Sequence, residues 1–190
     1  MNTNTPPRRR LPGDPDPARA RAGMVRVDHA GEYGAARIYA GQLAVLGKSA
    51  SAPLLREMAA AEHKHLDTFK TMIGNRHVRP TALLPFWHLA GFALGAGTAL
   101  LGEKAAMACT AAIEDVIDQH YGAQEAELAS GTPGMDDPEL GSIVTTFRAE
   151  EVIHRDTAIA HGAEQAPGYR LLSGAIKAGC RFAIAISEKV

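Results

Sequence analysis

Cysteine, aromatic residues and net charge are all scarce in this chain. Its two cysteines, Cys109 and Cys180, stand far apart and form no Cys-x-x-Cys motif. A disulfide framework is therefore excluded, and a reducing compartment is expected rather than secretion. Acidic and basic residues nearly cancel, 21 against 20, and Arg8-Arg9-Arg10 is the one basic block, so no field favours nucleic acid. Aromatics make up only 5%, while alanine and glycine are abundant. That composition suits closely packed helices and disfavours a β-sandwich. No segment alternates with the period of a strand, and no strand-associated Gly-x-Gly-x-x-Gly is present, so a Rossmann-type dinucleotide site is not expected. Residues 1–23 lack the apolar stretch of a secretory leader. Asp14 and Asp16 interrupt their basic residues, and their prolines oppose a helix, so they are expected to form a disordered tail ahead of a single domain over 24–190.

What is present is helical periodicity. Apolar residues recur at three- and four-residue spacing from Val27 to about Leu46, and again after Pro53 through Leu54, Met58, His65, Phe69 and Met72 to Gly74-Asn75. Residues 82–102 carry no formal charge over their whole length. That is long enough to span a bilayer, but Pro85, His88 and the glycines weigh against a span. A helix lying on the membrane, or buried under others, explains the stretch as well. A fourth helix is expected from Glu103 to Ala129 and a fifth from Pro138, capped by Asp136 or Asp137, to about Glu164. A sixth is expected from Tyr169 to Ser187, with Lys177 and Arg181 one turn apart. The fold class is all-α, with four bundle helices and two further apolar ones.

The chemistry lies in a repeated layout. The first helix carries Glu32 and the second Glu62-x-x-His65; the fourth carries Glu114 and the fifth Glu151-x-x-His154. Positions i and i+3 share a helix face about 5–6 Å apart, so each Glu-x-x-His pair can reach one metal ion or two adjacent ones. Carboxylates suit iron or manganese, and imidazole adds a neutral nitrogen. Two lone glutamates plus two Glu-x-x-His pairs make the ligand set of di-iron carboxylate bundles. With this many glutamates and histidines, about half a Glu-x-x-His is expected by chance, so the arrangement on separate helices carries more weight than the motif. Glu32 and Glu114 also sit among small and apolar neighbours, and a buried carboxylate needs a partner or a metal.

Blander readings exist for each part. A solvated helix face explains Glu62 and His65 taken alone, Glu151 lies beside Glu150 and Arg148, and Glu114-Asp115 resembles a surface pair. His29, His63, His77, His88 and His161 read as solvated or structural. Tyr121, two turns beyond Glu114 on the same face, can approach the site but is by default a packed tyrosine with a bonded hydroxyl.

Three segments, Arg26 to Gln42 (RVDHAGEYGAARIYAGQ), Ala108 to Tyr121 (ACTAAIEDVIDQHY) and Glu150 to Glu164 (EEVIHRDTAIAHGAE), resemble the demethoxyubiquinone hydroxylases, the di-iron monooxygenases of ubiquinone biosynthesis. The resemblance runs from about residue 24 to the C-terminus. It implies a ferritin-like four-helix bundle with extra apolar helices attached to one membrane face: the cytoplasmic face of a bacterial membrane, or the matrix side of the mitochondrial inner membrane in a eukaryote. It implies two iron ions per chain, with Glu32, Glu62 and His65 serving one and Glu114, Glu151 and His154 the other, and with Glu62 and Glu151 bridging. It further implies O2-dependent hydroxylation of a polyprenyl quinone precursor, NADH as electron source, and a partner protein that delivers lipid substrate. Asp28 and Asp118 are candidates to orient the two histidines. Lys177 and Arg181 are candidates to meet anionic headgroups. Two other functions fit the ligand pattern alone: a ferritin- or rubrerythrin-like oxidase of iron or peroxide, and a membrane-attached binding protein whose acidic cluster is structural.

Overall fold

The computed structural model describes residues 16–190. Six α-helices account for most of them: α1 (Pro17–Leu46), α2 (Ala52–Asn75), α3 (Leu84–Leu100), α4 (Glu103–Leu128), α5 (Pro138–Ala160) and α6 (Tyr169–Ser187), with a single 3-10 turn at Ala163–Gln165. No strand occurs among the described residues. Local chemistry sets the ends. Asp137 accepts a hydrogen bond from the Leu140 amide at 3.1 Å and caps α5, with Pro138 in the first turn. Gly102, at φ +111°, permits the sharp corner that joins α3 to α4. Gly162, at φ +89°, stops α5 four residues before the sequence pattern suggests, and the chain passes into the 3-10 turn.

The start of α1 is a correction. Asp16 caps it, accepting from the Ala18 amide at 3.3 Å, and Pro17 takes the first turn. Residues 17–23 are thus helix, not tail. The remainder of the expected tail, residues 1–15, lies outside the described residues.

Each half of the chain contributes an antiparallel pair, α1 with α2 and α4 with α5. The two long helices α1 and α4 are the most buried. Helix α3 packs along α1, and α6 packs on α4 and touches α1. The α1–α3 seam is unusually close. A Cβ on Gly95 would fall 2.0 Å from the Ile38 carbonyl oxygen, and one on Gly41 would fall 2.2 Å from the Phe92 carbonyl oxygen. Gly91 and Gly95, two of the glycines that interrupt the apolar stretch, are therefore contact points between backbones.

No helix of the described residues is long and apolar enough to cross a membrane. Helix α3, with 17 residues, reaches about 25 Å. Its outer face nonetheless exposes Phe86, Leu89, Leu100 and the following Leu101, while α6 exposes Leu171 and Phe182. Lys177 is already paired with Asp115 at 2.7 Å, and Arg181 donates to Gln119. Lys177 is thus paired within the fold, while Arg181 stays exposed and keeps its charge. Trp87 donates to the Ser187 hydroxyl at 2.9 Å, tying the start of α3 to the end of α6.

Candidate metal centre

Glu32 comes from α1, Glu62 and His65 from α2, Glu114 from α4, and Glu151 and His154 from α5. All six are buried, Glu62 and Glu151 completely. They fall into two overlapping groups, Glu32–Glu62–His65–Glu151 and Glu62–Glu114–Glu151–His154. Within each group, one candidate donor atom per residue lies within 4.8 Å of the others. Glu62 and Glu151 belong to both groups, so a pair of cations held here would share them.

Apart from a hydrogen bond between His154 Nδ1 and Glu151 Oε2, the donor atoms converge without satisfying one another. Glu32 Oε2, both carboxylate oxygens of Glu62, His65 Nδ1, Glu114 Oε2 and Glu151 Oε1 are buried without a hydrogen-bond partner. His65 Nδ1 approaches Glu151 Oε1 to 2.9 Å and Glu32 Oε2 to 3.6 Å, but neither approach has hydrogen-bond geometry. His154 Nδ1 lies 3.1 Å from both Glu62 Oε1 and Glu151 Oε2. Leaving this many polar atoms buried and unpaired costs several kcal/mol, on the order of 1–3 kcal/mol each, and a cation among them removes that cost. The residues present therefore fit hard, oxygen-preferring metal ions.

Protonation follows the same logic. Burial, reinforced by the charge on Glu151, pushes the Glu62 and Glu114 carboxyls well above their ordinary range. Glu32 is raised chiefly by burial as well. Burial disfavours a charged His65, but contact with Glu151 and Glu32 prevails and lifts it to about 11. His154 moves upward against burial for the same reason, chiefly through Glu151. Glu151 alone moves down: burial would raise it, but contact with His154 and His65 holds it ionised. The upward shifts of the others mean that a cation at the site would compete with protons.

Around the donors, the tyrosines cross between halves. Tyr121 donates to Glu32, and Tyr39 donates to Glu114 at 3.1 Å. Tyr121 thus reaches the site. Tyr39 stands seven residues after Glu32, as Tyr121 stands seven after Glu114, so the internal repeat held the signal for both. Asp28 and Asp118 do not orient the site histidines. Asp28 binds His120 at 3.1 Å and Gln124 at 2.7 Å, and Asp118 binds Arg148 and Arg155. The group on His65 is instead Glu150, with Oε2 at 2.8 Å from Nε2. No local pattern announces a contact between residues 85 apart in sequence. Of the remaining histidines, His29 is buried and held neutral by burial, and His88 pairs with the Tyr33 hydroxyl at 2.7 Å. His161 bonds a backbone carbonyl, while His63 and His77 are exposed.

An apolar cavity of about 610 Å³ lies between α1, α3, α4 and α6. Ile38, Leu94, Ile113 and Ile176 line it, and its polar groups include Asp28, Glu32, His120 and Tyr121. The exposed Phe86 and Phe182 also line it. The cavity therefore runs from the apolar outer face to the carboxylate cluster.

The sequence matches the family described as ubiquinone biosynthesis protein COQ7 over residues 19–187. It is 58% identical to a 3-demethoxyubiquinol 3-hydroxylase of Rhodospirillum rubrum, covering 95% of this chain and 84% of that one. It is 49% identical to the human mitochondrial NADPH-dependent 3-demethoxyubiquinone 3-hydroxylase, covering 88% and 76%. It is 41% identical to the mitochondrial 5-demethoxyubiquinone hydroxylase of Saccharomyces cerevisiae, covering 88% and 77%. A match over nearly the whole described chain, with identities this high, decides the relationship: this chain belongs to the ubiquinone biosynthesis protein COQ7 family.

Proposed function

We propose that this chain is an O2-dependent hydroxylase that adds one oxygen to the ring of a demethoxyubiquinone-type substrate, using two iron ions held by Glu32, Glu62, His65, Glu114, Glu151 and His154. The observation that carries this reading is the junction of two features. Two four-residue donor groups share Glu62 and Glu151, and the cavity beside them is lined almost wholly by apolar side chains. A pair of ferrous ions supplies the electrons that activate O2. The core of α1, α2, α4 and α5 is then a ferritin-like bundle. The reductant is a reduced nicotinamide nucleotide. The mammalian relatives' names specify NADPH, where the family resemblance suggested NADH.

The chain's own residues do the rest. The cavity excludes water from the reacting ring and accepts the start of a polyprenyl tail. Glu32 lines both the cavity and the cluster, so a ring seated there abuts the metal-binding carboxylates. Tyr121 and Tyr39 fix Glu32 and Glu114 by donated hydrogen bonds. Phe86 and Phe182 form the outer rim of the cavity, and with Leu89 and Leu171 they suit a peripheral seat on a bilayer that holds the substrate.

The test is anaerobic Fe(II) loading of the protein, followed by demethoxyquinone, NADPH or NADH, and isotopically heavy O2. One heavy oxygen in the quinone product is expected. Glu151→Ala is expected to lose both irons and all product while keeping its helical circular dichroism. A fully loaded protein that oxidises iron without modifying the quinone would instead support the iron-oxidase reading.

A further inference from the structure

We propose that Glu150 is a positioning residue for His65 and that it makes the two metal positions unequal. The inference rests on the reading that the six buried donors hold two metal ions. The Nδ1 of His65 faces Glu151 and Glu32 inside the cluster. A nitrogen that binds a cation carries no proton, so the ring proton sits on Nε2, which points the other way and donates to Glu150 Oε2 at 2.8 Å. Phe147, one turn before Glu150 on α5, stacks on the same ring, with centroids 3.9 Å apart and planes at 26°. Helix α5 thus holds a side chain of α2 at two points: Phe147 fixes the ring plane and Glu150 fixes its rotation and tautomer.

His154 has no such support. Its Nδ1 faces Glu62 and Glu151, and among the described residues no carboxylate pairs with its Nε2. The sequence gives the reason. Glu150 precedes Glu151, but the residue before Glu62 is Ala61. The internal repeat that matches glutamate with glutamate, histidine with histidine and tyrosine with tyrosine breaks at this position. A carboxylate on the far nitrogen raises the basicity of a histidine ligand, so the metal held with His65 and Glu32 is the more tightly bound of the two. Because Glu150 is 45% exposed at its side chain, replacing it leaves no cavity in the core.

The experiment is anaerobic titration of metal-free protein with Co(II), read by ligand-field absorbance and calorimetry, so that it is independent of turnover. The wild type is expected to bind two ions in two resolved steps. Glu150→Ala should weaken the tighter step by about 10–100-fold and leave the weaker one in place, with helix content unchanged. Glu150→Gln retains an acceptor for the Nε2 proton and should restore most of the lost affinity. In the Mössbauer spectrum of the ferrous protein, Glu150→Ala should alter one of two iron signals. Unchanged affinities in Glu150→Ala, an equal loss at both steps, or a Glu150→Gln loss as large as that of Glu150→Ala would overturn the proposal while leaving the metal centre intact. A wild type that binds no Co(II) would overturn the metal reading itself.

Discussion

At the scale of single residues, the cluster is held together by protons when no metal is there. Glu62 and Glu114 are raised by burial and by the neighbouring Glu151 charge, and His65 is lifted to about 11 and His154 upward by that same carboxylate. His65 therefore keeps its ring proton at neutral pH in the metal-free protein, the upward shifts of His154, Glu62 and Glu114 act in the same direction, and a cation must displace protons to reach the donor atoms. The sign follows. Metal uptake releases protons, so affinity falls as pH falls, because the proton-filled form is favoured. Adding Fe(II) or Co(II) anaerobically to weakly buffered protein should acidify the solution by more than one proton per chain, and the apparent Kd should weaken steadily from pH 8 to pH 6, on the order of tenfold or more per unit. A pH-stat or indicator dye measures the release. Uptake without proton release would mean that the carboxylates are already ionised and the imidazoles already neutral in the metal-free protein, contrary to the shifts of Glu62, Glu114, His65 and His154.

At the scale of helices, the α1–α3 seam sets where the cavity lies, because it brings the apolar third helix against the helix that carries Glu32. Gly95→Ala puts a methyl group 2.0 Å from the Ile38 carbonyl oxygen. Only a shift of backbone against backbone relieves that overlap, with an expected loss of about 1–3 kcal/mol. Gly97, two residues on, has nothing within 4 Å of its would-be Cβ, so Gly97→Ala should be neutral or stabilising by about 0.5–1 kcal/mol through helix propensity. Thermal melting of the pair separates close packing from propensity, and equal melting temperatures would contradict the seam. Helix ends show why some of this fold is legible in sequence and some is not. Asp137-Pro138 reads as a cap and first turn, and the structure agrees. Asp16-Pro17 carries the same signature, but the prolines and arginines around it mask a helix that gains its stability from packing further along. Likewise the Glu-x-x-His pairs are local and readable, whereas Glu150 on His65 and Asp28 on His120 join residues 85 and 92 apart. Only the assembled helices create those contacts.

For the whole molecule, the proposed membrane seat depends on which force supplies the attachment. On α6, Lys177 is paired with Asp115, while the exposed Arg170 and Arg181 keep their charge, Arg181 bonding only the neutral Gln119 amide; two such charges contribute about 1 kcal/mol each at an anionic surface. The exposed apolar side chains offer more: Phe86, Leu89, Leu100 and Leu101 around α3, and Leu171 and Phe182 on α6. Burying one such side chain contributes about 1.5–3 kcal/mol, and a handful partly inserted together is ample for reversible binding. Attachment driven this way should persist on neutral phosphatidylcholine vesicles as well as on anionic ones, and should survive from low to high salt. Leu89→Glu and Phe182→Glu should each weaken vesicle partition by about 10–100-fold. Metal content should be unchanged, because neither residue belongs to the carboxylate cluster. For Leu89→Glu, which lies outside the cavity lining, turnover should fall with a long-tailed quinone presented in vesicles and persist with a short-tailed one in solution. Flotation of wild type and variants across a salt series measures the first part, and product assays with both quinones measure the second. If binding instead requires anionic lipid and collapses with salt, charge rather than apolar surface holds the protein to its membrane, and the rim of Phe86 and Phe182 serves the cavity alone.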